Sequence, residues 1–431
     1  MPNTADTFSM TKTISSNKFI PFRKTDLIKS CLSQEKLSTY DQQSFQSFCQ
    51  LLESIFHFEF HQSLETLKDC YAPFNMDIDT RLIRQYSQDE KEKLQKQLVV
   101  TMTDILKAAN YRQITSTDLK EALSEESLFK IRLEVDFNDF EEVIFYMRGE
   151  NKKQETVAKY FGLIKESFEF TNYERVAVYI KFKEADYFSK KKQKNNYFTP
   201  GSTIIKLFQN VPKSDLEMLF PNSEVRMKNI DKLLIGFPAA ISGVAVVVTK
   251  LGASLLLIGS VISFWLGLTD QEVIIQQQHL ITLGLGLGTL GGFLFKQFNT
   301  FKNRKIQFMK TLTDSLYFKN LDNNQGVFHH LIDAAEEEEF KEAMLAYYFL
   351  LTEKKDLNIE SLDQIIEKWF RESFDFPMNF EVNDAISKLV RLNLVEKHNG
   401  CIVAKPLKEC NQILDNTWDN YFDYKVSEGP L

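Results

Sequence analysis

The chain has 431 residues, a net charge of −7 and an apolar fraction of 43%. These values suit globular domains and exclude a collagen-like or wholly disordered chain. Its five cysteines (Cys31, Cys49, Cys70, Cys401, Cys410) are scattered, odd in number and without a CxxC pair. That pattern argues against a zinc ribbon or a disulfide framework and for reduced thiols facing a cytosol-like compartment.

Residues 1–18 are polar and Ser/Thr-rich and read as a disordered tail. They lack the apolar core of a secretory signal, and the stretch up to Asn17 has Asp6 and no Arg, against a mitochondrial presequence. An N-terminal α+β domain is expected over 19–230. Its helices come first: Asp26–Ser33, Asp41–Tyr71 with Asp41 as N-cap, Ser87–Ala109, and Ser116–Ser124 with Ser116 in capping position. The pattern then changes to period two. Phe140–Arg148, Arg175–Phe182 and Ser202–Phe208 are predicted strands of a small antiparallel sheet, with Leu128–Val135 as a possible fourth. Lys190–Gly201 reads as a loop with a basic tip, and Asp215–Phe220 as one helical turn.

Residues 231–298 read as a membrane anchor. Leu233–Thr249, Leu251–Leu268 and Leu280–Phe295 contain no charged residue. Crossing a hydrocarbon layer about 30 Å thick takes roughly 20 apolar residues, with about 17 as the lower limit. Lys and Arg flank both ends of the region, while the connector Thr269–His279 has Asp270 and Glu272 and no cation. The positive-inside rule then demands an even number of crossings. The expected spans are 251–268 and 280–298, with 233–249 interfacial or re-entrant because of Pro238 and Gly243. Three spans are the alternative. Gly284, Gly288 and Gly292 recur every four residues, a face suited to close helix packing within the hairpin or between two copies.

A basic juxtamembrane helix and linker follow at 299–326. There Lys302, Arg304, Lys305 and Lys310 interleave with Phe301, Ile306 and Phe308, which suggests contact with anionic lipid headgroups. Asp322–Asn324 reads as an Asx-turn and helix cap. From 327 to 431 the order is a long helix Val327–Glu353, helices in Ser361–Phe374 and Asn379–Leu394, a hairpin turning at Asn399–Gly400, and a closing helix Leu407–Phe422. Three helices and a two-stranded hairpin give the order of a winged-helix domain. Residues 331–431 hold 21 acidic against 11 basic residues, so nucleic acid is a poor partner for it. A winged helix that binds protein, or packs on the N-terminal domain, fits better.

Glu53, His57, His61 and Glu65 stand at i, i+4, i+8 and i+12 and share a helix face, a spacing that could ligate zinc or iron. The pattern is neither Glu-x-x-His nor HExxH, and a polar stripe between packed faces explains it as simply. His329 and His330 are adjacent and point apart on a helix. No P-loop, GxSxG or Cys–His arrangement occurs, so no catalytic residue and no cofactor are expected.

The strings FIPFRKTDLI (19–28), FHFEFH (56–61), YAPFN (71–75), NVPKSDLEMLFPNSEVRM (210–227), GGFLFKQFNTFKNRK (291–305), LYFKNLDNNQGVF (316–328) and AAEEEEFKEAMLAYYFLL (334–351) resemble one family. It is the group of uncharacterised membrane proteins that includes transmembrane protein 143 and many bacterial relatives. The resemblance implies a membrane protein of unknown molecular function, mitochondrial in animals and in the plasma (inner) membrane in bacteria, with the bacterial branch favoured by the Arg-free leader. No family site residues can be carried over.

The expectation is therefore an α+β membrane protein: a helical N-terminal domain with a small antiparallel sheet, a transmembrane helical hairpin, and a C-terminal winged-helix-like domain. Both domains would lie on the cytoplasmic side, as interaction or scaffold components of an integral membrane protein rather than an enzyme. The bilayer, its anionic headgroups, unidentified proteins and a second copy are the expected partners. The alternatives are a membrane-tethered winged-helix transcription regulator and a lipid-associated enzyme or transporter component.

Overall fold

The computed structural model describes residues 17–75, 81–115, 117–119, 132–159, 164–191, 198–226, 252–268, 277–353, 357–398 and 400–422. The segment 233–249, most of the connector 269–279, most of the helix expected at 116–124 and half of the strand expected at 128–135 lie outside these residues. Contacts divide the chain into two units: 1–120, 138–213 and 320–431 in the first, 121–137 and 214–319 in the second.

The first unit opens with α1 (Lys24–Leu32), α2 (Thr39–Tyr71) and α3 (Gln88–Ala108). The cap of α2 is Ser38, whose hydroxyl accepts the Asp41 N–H at 3.2 Å, rather than Asp41 itself. Ser38 stands three residues earlier, the spacing that places a side-chain oxygen over an orphan N–H. For α3, Ser87 and Glu90 form a full capping box.

The sheet runs β1 (Arg112–Gln113), β3 (Phe140–Lys159), β4 (Ile164–Phe182), β5 (Thr203–Pro212) and β7 (Asn320–Asn323) in that spatial order, all antiparallel. The β3–β4 ladder extends from Phe140↔Phe182 to Lys159↔Ile164, much further than the apolar alternation suggested. The expected Asx-turn at 322–324 is partly strand: Asp322 pairs with Leu207, while its carboxylate still accepts the Asn323 N–H at 2.8 Å. A short α4 (Ala185–Lys191) follows β4.

The central element is α7 (Gln325–Thr352). Its first half joins Leu67, Tyr71, Leu98 and Met102 of α2 and α3 over Tyr146, Tyr179 and Leu207 of the sheet. Its second half, Phe340–Leu350, is buried on every side. A helix apolar all round belongs inside a protein or a membrane. Here the protein supplies the cover, through α1, the start of α2, α8 (Ile359–Phe374), α9 (Val382–Arg391) and α10 (Leu407–Asp419). Each buried Phe, Leu or Met contributes on the order of 1.5–3 kcal/mol. The strands β8 (Val395–His398) and β9 (Cys401–Ala404) form a hairpin, and Leu357 bridges to Ile402 beside it.

In the second unit β2 (Arg132–Glu134) pairs with β6 (Glu224–Arg226), and Phe137 meets Phe220 edge-on at 5.1 Å. Its helices are α5 (Gly252–Trp265) and α6 (Gln277–Lys319). Among the described residues no helix is long and apolar enough to cross a membrane. With 14 residues α5 rises only about 21 Å, against a core of about 30 Å. The apolar run of α6 stops at Lys296, and the helix continues through Lys302, Arg304, Lys305 and Lys310.

This overturns the expected transmembrane hairpin. It also removes the basis for the integral-membrane assignment, the bilayer and anionic-headgroup partners, the inner-membrane or mitochondrial-membrane location, and the membrane-anchored scaffold, regulator and transporter functions. Among the described residues, a Cβ added at Gly284, Gly288 or Gly292 would meet no atom within 4 Å, so the glycine face of α6 has no close helix contact there.

Candidate functional site

The chemistry of the first unit concentrates where α7 changes from charged to apolar. The run Glu336–Glu342 turns its acids both outward and inward, and of the inward ones Glu338 lies just before the fully buried stretch Phe340–Leu350 while Glu342 lies inside it. The side chains of Glu338, Lys341, Glu342 and Lys388 are 1, 2, 1 and 6% exposed. Lys388, on α9, brings Nζ to 2.6 Å from Glu342, 2.8 Å from Glu339 and 2.9 Å from Asp384. On its other side Glu342 accepts 2.7 Å from Asn110 Nδ2. Asn110 sits at φ +57° just past α3, a left-handed position that asparagine tolerates better than other side chains.

A second ion pair lies one turn earlier. Lys341 Nζ is 2.5 Å from Glu338 and donates to the carbonyl of Ile20 at 2.7 Å. Glu338 in turn accepts the Ile20 N–H at 3.0 Å and Asn110 Nδ2 at 3.2 Å. The N-terminal segment 17–23 is therefore tied down by the same charges that dock α9. Beside it, the Arg148 guanidinium lies 4.0 Å from the Phe19 ring centre and 4.9 Å from that of Tyr111. A cavity of about 340 Å³ opens here, lined among others by Lys18, Phe19, Asn110, Arg148, Glu381 and Asp384.

Four carboxylates face two ammonium groups in this cluster. Burial pushes the Glu342 carboxyl up to about 8, only partly opposed by Lys388, so it carries a proton near neutral pH. Burial likewise raises Glu339. Desolvation alone would lower the Lys388 ammonium, but Glu342, Glu339 and Asp384 outweigh it and hold Lys388 above its ordinary value. Lys388 stays charged and Glu342 is the group that gives way. The arrangement binds and positions protein segments. It contains no nucleophile–base pair and, among the described residues, no group of three or more metal-capable side chains.

The members of the α2 stripe that have described ion-pair partners pair with separate groups. Glu53 pairs with Lys24 at 2.6 Å, Glu65 with Lys68 at 2.8 Å, and the 70% exposed His57 with Glu336 at 2.9 Å. His61 is exposed. His330 lies 3.3 Å from Asp322, and His329 faces outward. Lys302, Arg304, Lys305 and Lys310 all lie on α6, and their lipid contact falls with the anchor. What the sequence reading missed is the cluster itself. The available signal was a charged run entering a helix segment with no polar face, together with Asp384 and Lys388 four residues apart on another helix.

An α+β protein with a buried ionic clasp, and no assembled catalytic or metal constellation among its described residues, is the class these features define. Residues 173–326 match the profile of a family described as a protein of unknown function, DUF3754. The clasp lies outside the matched segment. No solved structure matches the chain.

Proposed function

We propose that the chain is a protein-docking module whose C-terminal segment, 327–431, is winged-helix-like and turned inward. The order of elements supports this: the end of α7, the Leu357 bridge, α8, α9, then the β8–β9 hairpin. In this order α9 holds the place of a recognition helix, which in a nucleic-acid reader presents its cations to a groove. Here both cations of α9 are taken by the chain's own carboxylates. Arg391 bonds Glu59 of α2 through two nitrogens, at 2.6 and 3.0 Å. The observation that carries the reading is Lys388, buried among Glu342, Glu339 and Asp384. A helix so committed holds protein surfaces together and offers no face to phosphate.

The test is a titration with duplex DNA and with single-stranded RNA at low salt, where phosphate contacts are strongest. No binding is expected from the full chain. Duplex binding that Lys388→Met or Arg391→Gln weakens, in samples that remain folded, would overturn the reading.

A further inference from the structure

The segment Asn17–Arg23 precedes α1 and belongs to no helix or strand, yet it is held as peptide ligands are held. Its main chain is satisfied from outside at nearly every step. Asn17 O accepts from the Asn379 N–H at 3.0 Å, Lys18 O from Asn110 at 3.4 Å, and Ile20 uses both its N–H and its carbonyl on Glu338 and Lys341. Pro21, which has no N–H to satisfy, is the exposed residue between two anchors. Ile20 is wholly buried. The Phe22 ring sits in a cage of Phe374, Phe376 and Phe370 at 4.6, 5.5 and 5.9 Å.

Two features separate this groove from ordinary packing of a chain end. Its polar walls are side chains that bond main-chain atoms, which any peptide offers, while its apolar walls select the side chains. The segment also leaves the groove partly unfilled. About 340 Å³ is open on the Asn17–Phe19 side, and a further cavity of about 230 Å³ runs along Ile20–Arg23 beside Asp333, Glu337 and Arg175.

From this geometry we infer that the groove between α7, α8 and the Asn110–Arg148 corner is a peptide-recognition site, occupied in cis by Phe19-Ile20-Pro21-Phe22. A partner segment of the same chemistry, an aromatic, an aliphatic, a proline and a second aromatic residue in succession, exchanges with it. The inference rests on the protein-docking reading above and names what docks. The cis segment acts as a competitor, so a partner's apparent affinity is reduced by the fraction of time the groove is open.

The probe is a fluorescein-labelled heptapeptide, Asn-Lys-Phe-Ile-Pro-Phe-Arg, followed by anisotropy with the full chain. Phe19→Ala and Phe22→Ala together weaken the cis segment without touching the groove. That variant should bind the heptapeptide at least ~10-fold more tightly than the unaltered chain. Adding Lys341→Met, which removes the donor to the bound carbonyl, should abolish the gain. A heptapeptide with its second Phe replaced by Asp should not bind. If the double variant does not fold, Phe22→Leu, which keeps an apolar group in the cage, replaces it with the same expected order. Equal binding to the unaltered chain and to the weakened variant would overturn the inference, as would no binding to any folded variant beyond a scrambled peptide. The nucleic-acid titration run on the same samples separates the two claims. A chain that binds neither peptide nor duplex loses only the groove. One whose duplex binding depends on Lys388 loses the docking reading itself.

Discussion

Two polar stripes sit on the helices α2 and α7 of the first unit, and they differ in spacing, burial and partners. On α2, Glu53, His57, His61 and Glu65 repeat at a perfect helical interval, yet each that has a described partner pairs with a different group, on α1, on α7 or on α2 itself. On α7, the inward acids have no motif spacing, yet with Lys341, Lys388 and Asn110 they form one connected network with its central side chains almost fully buried. Regular spacing makes residues neighbours on a surface. Burial together makes them interact, because partial charges removed from water must be satisfied by one another.

The largest effect should come from cutting the α7 network at its centre. Lys388→Met leaves Glu342 and Glu339 buried without their cation, and breaking a buried pair in this way costs about 3–5 kcal/mol. Thermal melts should show a fall in Tm on the order of 10 °C. Adding Glu342→Gln should recover part of that loss in melts above about pH 8, where the carboxyl left behind is otherwise driven to ionise. A double variant no more stable than Lys388→Met alone would show that the two groups are not coupled.

The next effect is a pH dependence. Glu342 is held at about 8 in the folded chain, above the ordinary carboxylate value of 4.5. Between those two pH values the folded state keeps a proton that the unfolded state has released. Stability therefore declines as pH rises through that window and levels off above it, at a slope of at most about 1.4 kcal/mol per pH unit. Denaturant unfolding from pH 5 to 8.5 should show this decline, and Glu342→Gln should flatten it. An unchanged slope in the variant would assign the titration to another group.

Arg391→Gln tests the same helix at its exposed end. Its guanidinium bonds Glu59 through two nitrogens, but half of the side chain is open to solvent. Exposed pairs contribute at most about 1 kcal/mol even with good geometry, and salt screens them. Chemical denaturation at low and high salt should find a small loss that shrinks as salt is added.

The contrast between the stripes also explains what could be read from the sequence. The start of α3 was legible at Ser87, where Ser87 and Glu90, three residues apart, form a capping box. Where two candidates compete within three residues the reading slipped, to Asp41 in place of Ser38. The far halves of β3 and β4 are rich in Lys, Glu and Asn and lack the period-two apolar signal that marks a strand with one buried face. The edge strand β7 is four residues of turn-like composition, and only its partner β5 makes it a strand. The ionic clasp was least legible, because Ile20, Asn110, Glu338–Glu342 and Asp384–Lys388 come from four separate segments brought together by folding alone.

The smallest effect should come from the stripe that looked most like a site. His57→Gln removes one ring nitrogen from a contact with Glu336 that is mostly open to water, and His61→Gln removes a group with no described bond. Surface changes of this kind usually lie within about 0.5 kcal/mol. Zinc supplies the sharper comparison. A site assembled from Glu53, His57, His61 and Glu65 would stabilise the folded chain in proportion to metal concentration over its dissociation constant, and would be lost in the double His variant. The four side chains are instead spread over about 18 Å of α2 at 1.5 Å per residue, too far apart to close on one ion with bonds near 2.1 Å. Melts with and without a tenfold excess of zinc should therefore coincide, for the unaltered chain and the double variant alike. A zinc-dependent rise in Tm that disappears with His57→Gln and His61→Gln would restore the metal reading and reverse the order of the two stripes.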